Sequence, residues 1–122
     1  MKLKNVTPML EATNLRQTVE FYSELLGFEI IGSFPNAENP GWVCMKKDDV
    51  VLMFTARNAH SKVETTTMTG SLYFYPTNVD EVWEQLKDKA TVVYPIENFD
   101  YEMREFAIRD CNGYLLQFGQ EI

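Results

Sequence analysis

The stretch Arg104-Glu105-Phe106-Ala107-Ile108-Arg109-Asp110-Cys111-Asn112-Gly113-Tyr114-Leu115-Leu116-Gln117-Phe118 decides the fold. Two apolar-rich runs flank Asn112-Gly113, and Asn-Gly is the strongest short-range signal for a hairpin turn whose central residues take positive φ. The pattern predicts a β-hairpin. Side chains alternate between faces along a strand, so Leu116 and Phe118 share one face and Leu115 and Gln117 the other. The first face is fully apolar and suited to a core. The second carries a polar group among apolar ones, and Gln117 is its most informative residue.

The same grammar occurs earlier in the chain. Asn14 and Asn78 are both good helix N-caps, followed three residues on by Gln17 and Glu81, and 78 − 14 = 64. That offset also carries Val19 onto Trp83, the Asp48-Asp49 turn onto Asn112-Gly113, and Phe54 onto Phe118. A common offset across strand, helix and hairpin implies two copies of one β-α-β-β-β unit. In the first copy, Lys4 to Ala12 reads as a strand that Pro8 confines to an edge or bulge. A helix follows between Asn14 and Gly27, with Leu15, Val19, Tyr22 and Leu26 at helical spacing. Phe28–Phe34, Trp42–Lys46 and Val50–Thr55 are the remaining strands, and a Pro/Asn/Gly-rich loop spans Pro35–Gly41. In the second copy, Gly70–Pro76 is a strand, Val79, Val82, Trp83 and Leu86 stripe a helix, Thr91–Ile96 is a strand, and Glu97–Tyr101 a loop before the hairpin. The fold class is therefore α+β, with two tandem β-α-β-β-β modules in one domain, residues 1–122. Module one covers about 1–56 and module two about 70–122, joined by a polar linker over about 57–69. Each module lays a helix on the outer face of a curved, mostly antiparallel sheet, which leaves the concave face free to enclose a ligand.

Composition bounds the function. The 122 residues are 45% hydrophobic and 24% charged, as in ordinary soluble domains. Eighteen acidic against eleven basic residues give a net charge of −7, which argues against nucleic acid, whose binding needs clustered Lys and Arg. The acidic balance serves solubility and is also suited to steering a cationic ligand inward. Cys44 and Cys111 form no metal-ligand spacing and are expected to be thiols in a reducing compartment. Met1-Lys2-Leu3-Lys4 leads into a strand rather than a signal peptide, and no long apolar span is present. A cytoplasmic location without membrane contact is the expectation.

Asn14-Leu15, Thr18, Phe21-Tyr22 and Leu26-Gly27-Phe28 resemble the pattern D-L-x-x-S-x-x-F-Y-x-x-x-L-G-F of the glyoxalase / bleomycin resistance / extradiol dioxygenase superfamily, also called vicinal oxygen chelate proteins. Asn14 stands for the acid and Thr18 for the serine. The segment Arg104–Tyr114 resembles the R-E-F-x-x-R-D-P-D-G-N hairpin of the bleomycin-resistance branch, with Cys111-Asn112-Gly113-Tyr114 in place of the proline-containing turn. The resemblance spans essentially the whole chain. It implies a divalent ion held by side chains early in the first strand and late in the last strand of each module. By spacing those positions are Thr7 and Met53, then Ser71 and Gln117, and 7 + 64 = 71 while 53 + 64 = 117.

Chemically this set is not a metal cage. A catalytic divalent ion takes about three ligands from His, Asp, Glu or Cys, whereas here stand a thioether, two neutral hydroxyls and one amide oxygen. No metal and no cofactor is expected. No residue is assigned a catalytic role with weight: Glu11 could act as a general base, but a solvated or ion-paired carboxylate is the simpler reading. His60, the sole histidine, sits in the linker, and Cys111 has no partner histidine in view. The free faces are rich in aromatics instead. Tyr73 and Tyr75 share the face of Ser71, Trp42 opens a strand after Pro40-Gly41, Phe34 lies near the Pro-rich loop, and Tyr101 sits where the resembled proteins carry a drug-stacking aromatic. Such side chains bind flat rings and cations, at roughly 0.5–2 kcal/mol per good cation–π contact, or else pack in a core or interface. The candidate ligand-binding residues are Trp42, Tyr73, Tyr75, Tyr101, Phe34, Gln117, Glu11 and Arg104. Arg104 and Glu105 are also expected to brace the hairpin as an ion pair. The resemblance implies a metal-free, homodimeric binder of a small molecule, planar or cationic, like the bleomycin-resistance proteins. The alternatives are a lyase, isomerase or dioxygenase using a metal or Glu11, and an interaction domain whose cavity is filled by its own side chains.

Overall fold

The computed structural model describes residues 1–58, 60, 61 and 63–122, so linker residues 59 and 62 lie outside the described residues. The chain divides into two units, Met1–Thr66 and Thr67–Ile122. The first contains β1 (Met9–Ala12), α1 (Leu15–Glu20) continued by a π-helical turn at Phe21–Leu25, β2 (Glu29–Phe34), β3 (Trp42–Lys47) and β4 (Val50–Ala56). The second contains β5 (Leu72–Phe74), α2 (Val79–Leu86), β6 (Thr91–Phe99), β7 (Met103–Arg109) and β8 (Leu115–Glu121). Both sheets have the same order, β1-β4-β3-β2 and β5-β8-β7-β6. In each, the first strand runs parallel to the last and the other pairs are antiparallel. The repeated α+β unit read from the sequence is the fold observed.

Local chemistry accounts for the boundaries. The Asn14 and Asn78 side chains accept from the backbone N–H of Gln17 (3.0 Å) and Glu81 (3.1 Å), satisfying donors that a helix start leaves orphaned. Gly27 takes φ 77°, where a side chain would be strained, and closes the π-helical turn through its N–H to the Ser23 carbonyl. The first strand is shorter than predicted. Pro8 has no N–H to give a ladder and only accepts, from Met53 N at 2.9 Å, so pairing begins at Met9 and Thr7 precedes the strand. Likewise β5 begins after Ser71 and ends before Pro76. The predicted loop at Glu97–Tyr101 is half strand: β6 continues to Phe99, with Glu97 opposite Glu105 and Phe99 opposite Met103.

The helix-side faces form the cores. In the first unit the Tyr22 ring, fully buried, packs on Phe28 and Phe54 at centroid distances of 5.7 and 4.7 Å. In the second, Phe106 stacks on Phe118 at 5.0 Å and meets Trp83 of α2 at 5.1 Å, while Phe74 stacks on the other side of Phe118. Leu116 and Phe118 thus face the helix as predicted. Glu105, Ala107, Gln117 and Gly119 fall on the opposite face by strand alternation. Among the described residues no helix is long and apolar enough to cross a membrane. Cys44 is buried, Cys111 is exposed, and they form no disulfide.

The turn before β8 differs from the prediction. Only Gly113 takes positive φ there (83°), and the connection is a five-residue loop rather than a two-residue turn. The buried Asp110 carboxylate organises it, accepting from the backbone N–H of Asn112 and of Tyr114, each at 2.8 Å. An aspartate serving its own following amides competes with the tight Asn-Gly geometry. The consequence is a shifted repeat. Lys46 lies opposite Val51 and Arg109 opposite Leu115, so the third strands match at 109 − 46 = 63 while the last strands match at 115 − 51 = 64. Glu105 therefore corresponds to Trp42, a pairing the uniform offset conceals.

Candidate functional site

The free face of the second sheet holds a buried carboxylate inside a cage of phenols. Glu105 sits mid-strand in β7 with 1% of its surface exposed. Its Oε1 accepts from Tyr73 Oη at 2.7 Å and Tyr101 Oη at 2.9 Å. Its Oε2 accepts from Tyr94 Oη and from Gln117 Nε2 at 3.2 Å. The Gln117 amide nitrogen also donates to Tyr94 Oη at 2.9 Å, and its Oε1 accepts from Ser71 Oγ. Tyr73 reaches the carboxylate because β5 runs beside β8 and Gly119 leaves room. A Cβ at Gly119 would stand 2.0 Å from Tyr73 Oη and 2.7 Å from Cζ. Further rings extend the wall: Tyr75 lies 5.0 Å from Tyr73, Phe99 5.5 Å from Tyr94, and Tyr101 stacks on Phe99 at 5.4 Å and 14°.

The electrostatics follow from this geometry. Burial pushes the Glu105 carboxyl up, but hydrogen bonds from Tyr94, Tyr73, Tyr101 and Gln117 outweigh it and hold the group below its ordinary range. It is therefore ionised at neutral pH. Burial and the neighbouring carboxylate raise Tyr73 and Tyr101. For Tyr94, burial raises the phenol most, the Gln117 amide pulls it back, and Glu105 raises it again, to about 12. All three phenols are neutral near pH 7, with their protons directed at the carboxylate.

The predicted site residues divide. Tyr73, Tyr75, Tyr101 and Gln117 come together in this cluster. Ser71, considered only as a metal position, joins them. Arg104 does not brace Glu105. Neighbours on a strand point to opposite faces, and Arg104 instead grips Asp80 with Nε at 3.0 Å to both carboxylate oxygens and Nη2 at 2.8 Å, and Asn98 with Nη1. Trp42, Phe34 and Glu11 belong to the first unit. Trp42 lies against Gly32, and Phe34, its cross-strand partner, is 69% exposed. Glu11 takes the ion-paired form, with Ser61 Oγ at 2.9 Å and Arg57 Nη1 at 3.5 Å. His60 is exposed in the linker. A crevice of about 330 Å³ in the first unit is lined by Leu15, Arg16, Val19, Ile30, Glu38 and Pro40 among others, and by none of the predicted residues. Its charged side chains sit in solvent, so the tyrosine–carboxylate face remains the better candidate on chemistry. Sequence reasoning missed Tyr94 and the role of Glu105. The available signal was an acid in a central strand whose same-face neighbours two residues away, Met103 and Ala107, are apolar.

The four positions implied for a metal do not fit one. Thr7 and Ser71 precede their strands, Met53 offers a thioether, and Gln117 and Ser71 are bonded to each other. Among the described residues no three His, Cys, Asp or Glu side chains are grouped to hold an ion.

Comparisons with known proteins agree on the fold. The family model for the Glyoxalase/Bleomycin resistance protein/Dioxygenase superfamily matches residues 7–118. A search of curated proteins finds no match. Among solved structures, TioX from Micromonospora sp. ML1 superposes with a TM-score of 0.78 at 16% identity, covering 98% of this chain and 99% of that one. A glyoxalase/bleomycin resistance protein/dioxygenase from Nocardioides gives 0.78 at 15% identity, covering 100% and 86%. TnmS3, described as an antibiotic binding protein from Streptomyces sp. CB03234, gives 0.76 at 16%, covering 100% and 99%.

Proposed function

The chain belongs to the glyoxalase/bleomycin resistance protein/dioxygenase superfamily, and from that premise we propose that it is a metal-independent binding protein that sequesters a small planar or cationic molecule. The ligand rests on the aromatic wall of Tyr73, Tyr75, Tyr94, Phe99 and Tyr101, and the protein acts as a homodimer. One observation carries this reading: a carboxylate with four donors and three surrounding phenols, which fixes a set of flat, electron-rich surfaces in place before any ligand arrives. Preorganised aromatics bind without paying for their own ordering. The description of TnmS3 as an antibiotic binding protein supports the same class of function.

Acid–base catalysis is the weaker reading of the same residues. A carboxylate held below its usual range by four donors is a poor proton acceptor near neutrality, and phenols raised above theirs are weak acids that stay un-ionised there. Metal-assisted catalysis meets a donor set without hard anionic ligands. Calorimetric titration with a bleomycin-group drug, beside elemental analysis of protein purified without chelator, tests the proposal. Saturable heat lost in Tyr101→Ala supports it. A stoichiometric divalent ion whose removal abolishes binding would overturn the metal-independent part, and sedimentation as a monomer would overturn the dimer.

A further inference from the structure

Among the described residues, Glu105 has hydrogen bonds but no counter-charge. The groups that donate to it, three phenols and the Gln117 amide, are neutral. Among the described residues no lysine, arginine or histidine lies within ion-pair distance of it, and the neighbouring Arg104 is spent on Asp80. Neutral donors offset the cost of taking this carboxylate out of water, but they leave its negative charge unbalanced within the face. The three phenols are not equivalent. Tyr73 is wedged over Gly119 and Tyr94 is half-buried, but Tyr101 is 58% exposed on the turn between β6 and β7. It shares Oε1 with the shorter bond from Tyr73.

We propose that the ligand of this face is a protonated primary or secondary amine attached to a flat ring, and that its N–H displaces the Tyr101 phenol from Glu105 Oε1. This deepens the reading of the tyrosine face as the ligand site and rests on it. The incoming ammonium replaces a neutral hydrogen bond with a charge-assisted one and supplies the missing positive charge. The rings around it add cation–π attraction, strengthened because each phenol proton points at an anion and leaves its oxygen and ring electron-rich. The released Tyr101 ring, no longer pinned through its hydroxyl, closes over the ligand's flat portion. An acidic molecule with net charge −7 draws such cations toward it.

Three probes with one ring separate the contributions: 2-naphthylmethylammonium, its trimethylammonium analogue and neutral 2-naphthylmethanol, titrated by calorimetry into the full chain. The ammonium binds about tenfold or more tighter than the alcohol, with the trimethylammonium between them because it has charge but no N–H. Glu105→Gln removes the preference. Tyr101→Phe keeps the stacked ring but removes the competing donor, so ammonium binds about fivefold tighter than to the unmodified protein. Thermal unfolding of each variant checks that it folds, and Tyr101→Phe, at an exposed position, tests the displacement even if Glu105→Gln does not fold. Equal affinity for all three probes, or an ammonium affinity that Tyr101→Phe lowers, overturns the inference while binding on this face stands. No binding of any probe overturns both.

Discussion

Gly119→Ala adds one methyl group to a strand, a change that ordinarily helps: glycine in a strand interior is disfavoured by about 0.5–1 kcal/mol relative to alanine. Here it should harm. The new Cβ would stand 2.0 Å from Tyr73 Oη, 2.7 Å from Cζ and 2.9 Å from Cε1, all far inside contact distance, so the ring must leave. With it goes the 2.7 Å bond to Glu105 Oε1. A hydrogen bond to a charged group contributes roughly 1.5–3 kcal/mol, so after the propensity gain the net loss is about 1–2 kcal/mol. For a chain of this size that lowers Tm by roughly 3–8 °C. Urea unfolding of Gly119→Ala, Tyr73→Ala and the double variant separates the cause. With no ring at position 73, Gly119→Ala becomes neutral or stabilising, and the two changes are strongly non-additive. If Gly119→Ala costs as much in the Tyr73→Ala background as in the unmodified chain, the glycine is needed for some reason other than the tyrosine, and the account of the cage fails.

Three further outcomes follow from the same contacts. Glu105 titrates lower when folded than unfolded, so it contributes stability that is present above its ordinary value of 4.5 and lost as pH falls through the lowered folded value; Glu105→Gln should flatten that acid limb of a stability-versus-pH curve, and an unchanged limb would contradict the assignment. The raised phenols obey the opposite sign, contributing stability that is complete below the ordinary tyrosine value of 10.0 and lost as pH rises through the folded values, Tyr94 at about 12; near-ultraviolet titration should find fewer than all six tyrosines ionised while the protein remains folded, and more of them in Glu105→Gln. Asp110→Ala leaves two buried backbone N–H groups without their acceptor and should cost about 2–4 kcal/mol in denaturant unfolding, whereas Asp110→Asn, which keeps an acceptor oxygen, should cost less.

The fold was legible because its signals are local and repeated. Asn14 and Asn78 cap helices whose buried stripes, Tyr22 in one and Val79 and Leu86 in the other, lie where helical spacing puts them. Leu116 and Phe118 face the helix because alternation leaves no other option. The site was legible only in part. Tyr73, Tyr75 and Gln117 follow from strand parity, but Glu105 does not. An acid beside an arginine in a hairpin reads as an ion pair, and only the face each side chain takes reveals that Arg104 turns to Asp80 on α2. Tyr94 was hidden for another reason. The register between β6 and β7 slips between Val92 and Tyr94 and again between Tyr94 and Glu97, so counting along the strand does not show which side the ring takes.

The repeat also explains how one module came to carry this chemistry and the other did not. The registers place Met9, Trp42, Met53 and Thr55 of the first unit at the positions of Tyr73, Glu105, Gln117 and Gly119 in the second. A carboxylate at position 42 would face thioethers and one threonine hydroxyl, a single donor where Glu105 has four. A tyrosine at position 9 would meet the side chain of Thr55 where Tyr73 finds only a glycine. None of the four substitutions helps without the others, so the cage is a cooperative unit rather than a sum of contacts. Gln117 shows the same logic from the other side. At a position where the superfamily resemblance implies a metal ligand, both ends of its amide are spent within the protein, the nitrogen on Tyr94 and Glu105 and the oxygen on Ser71. A residue so committed holds Tyr94 and Glu105 in place on this face, and its amide oxygen is engaged by Ser71 rather than open to an ion.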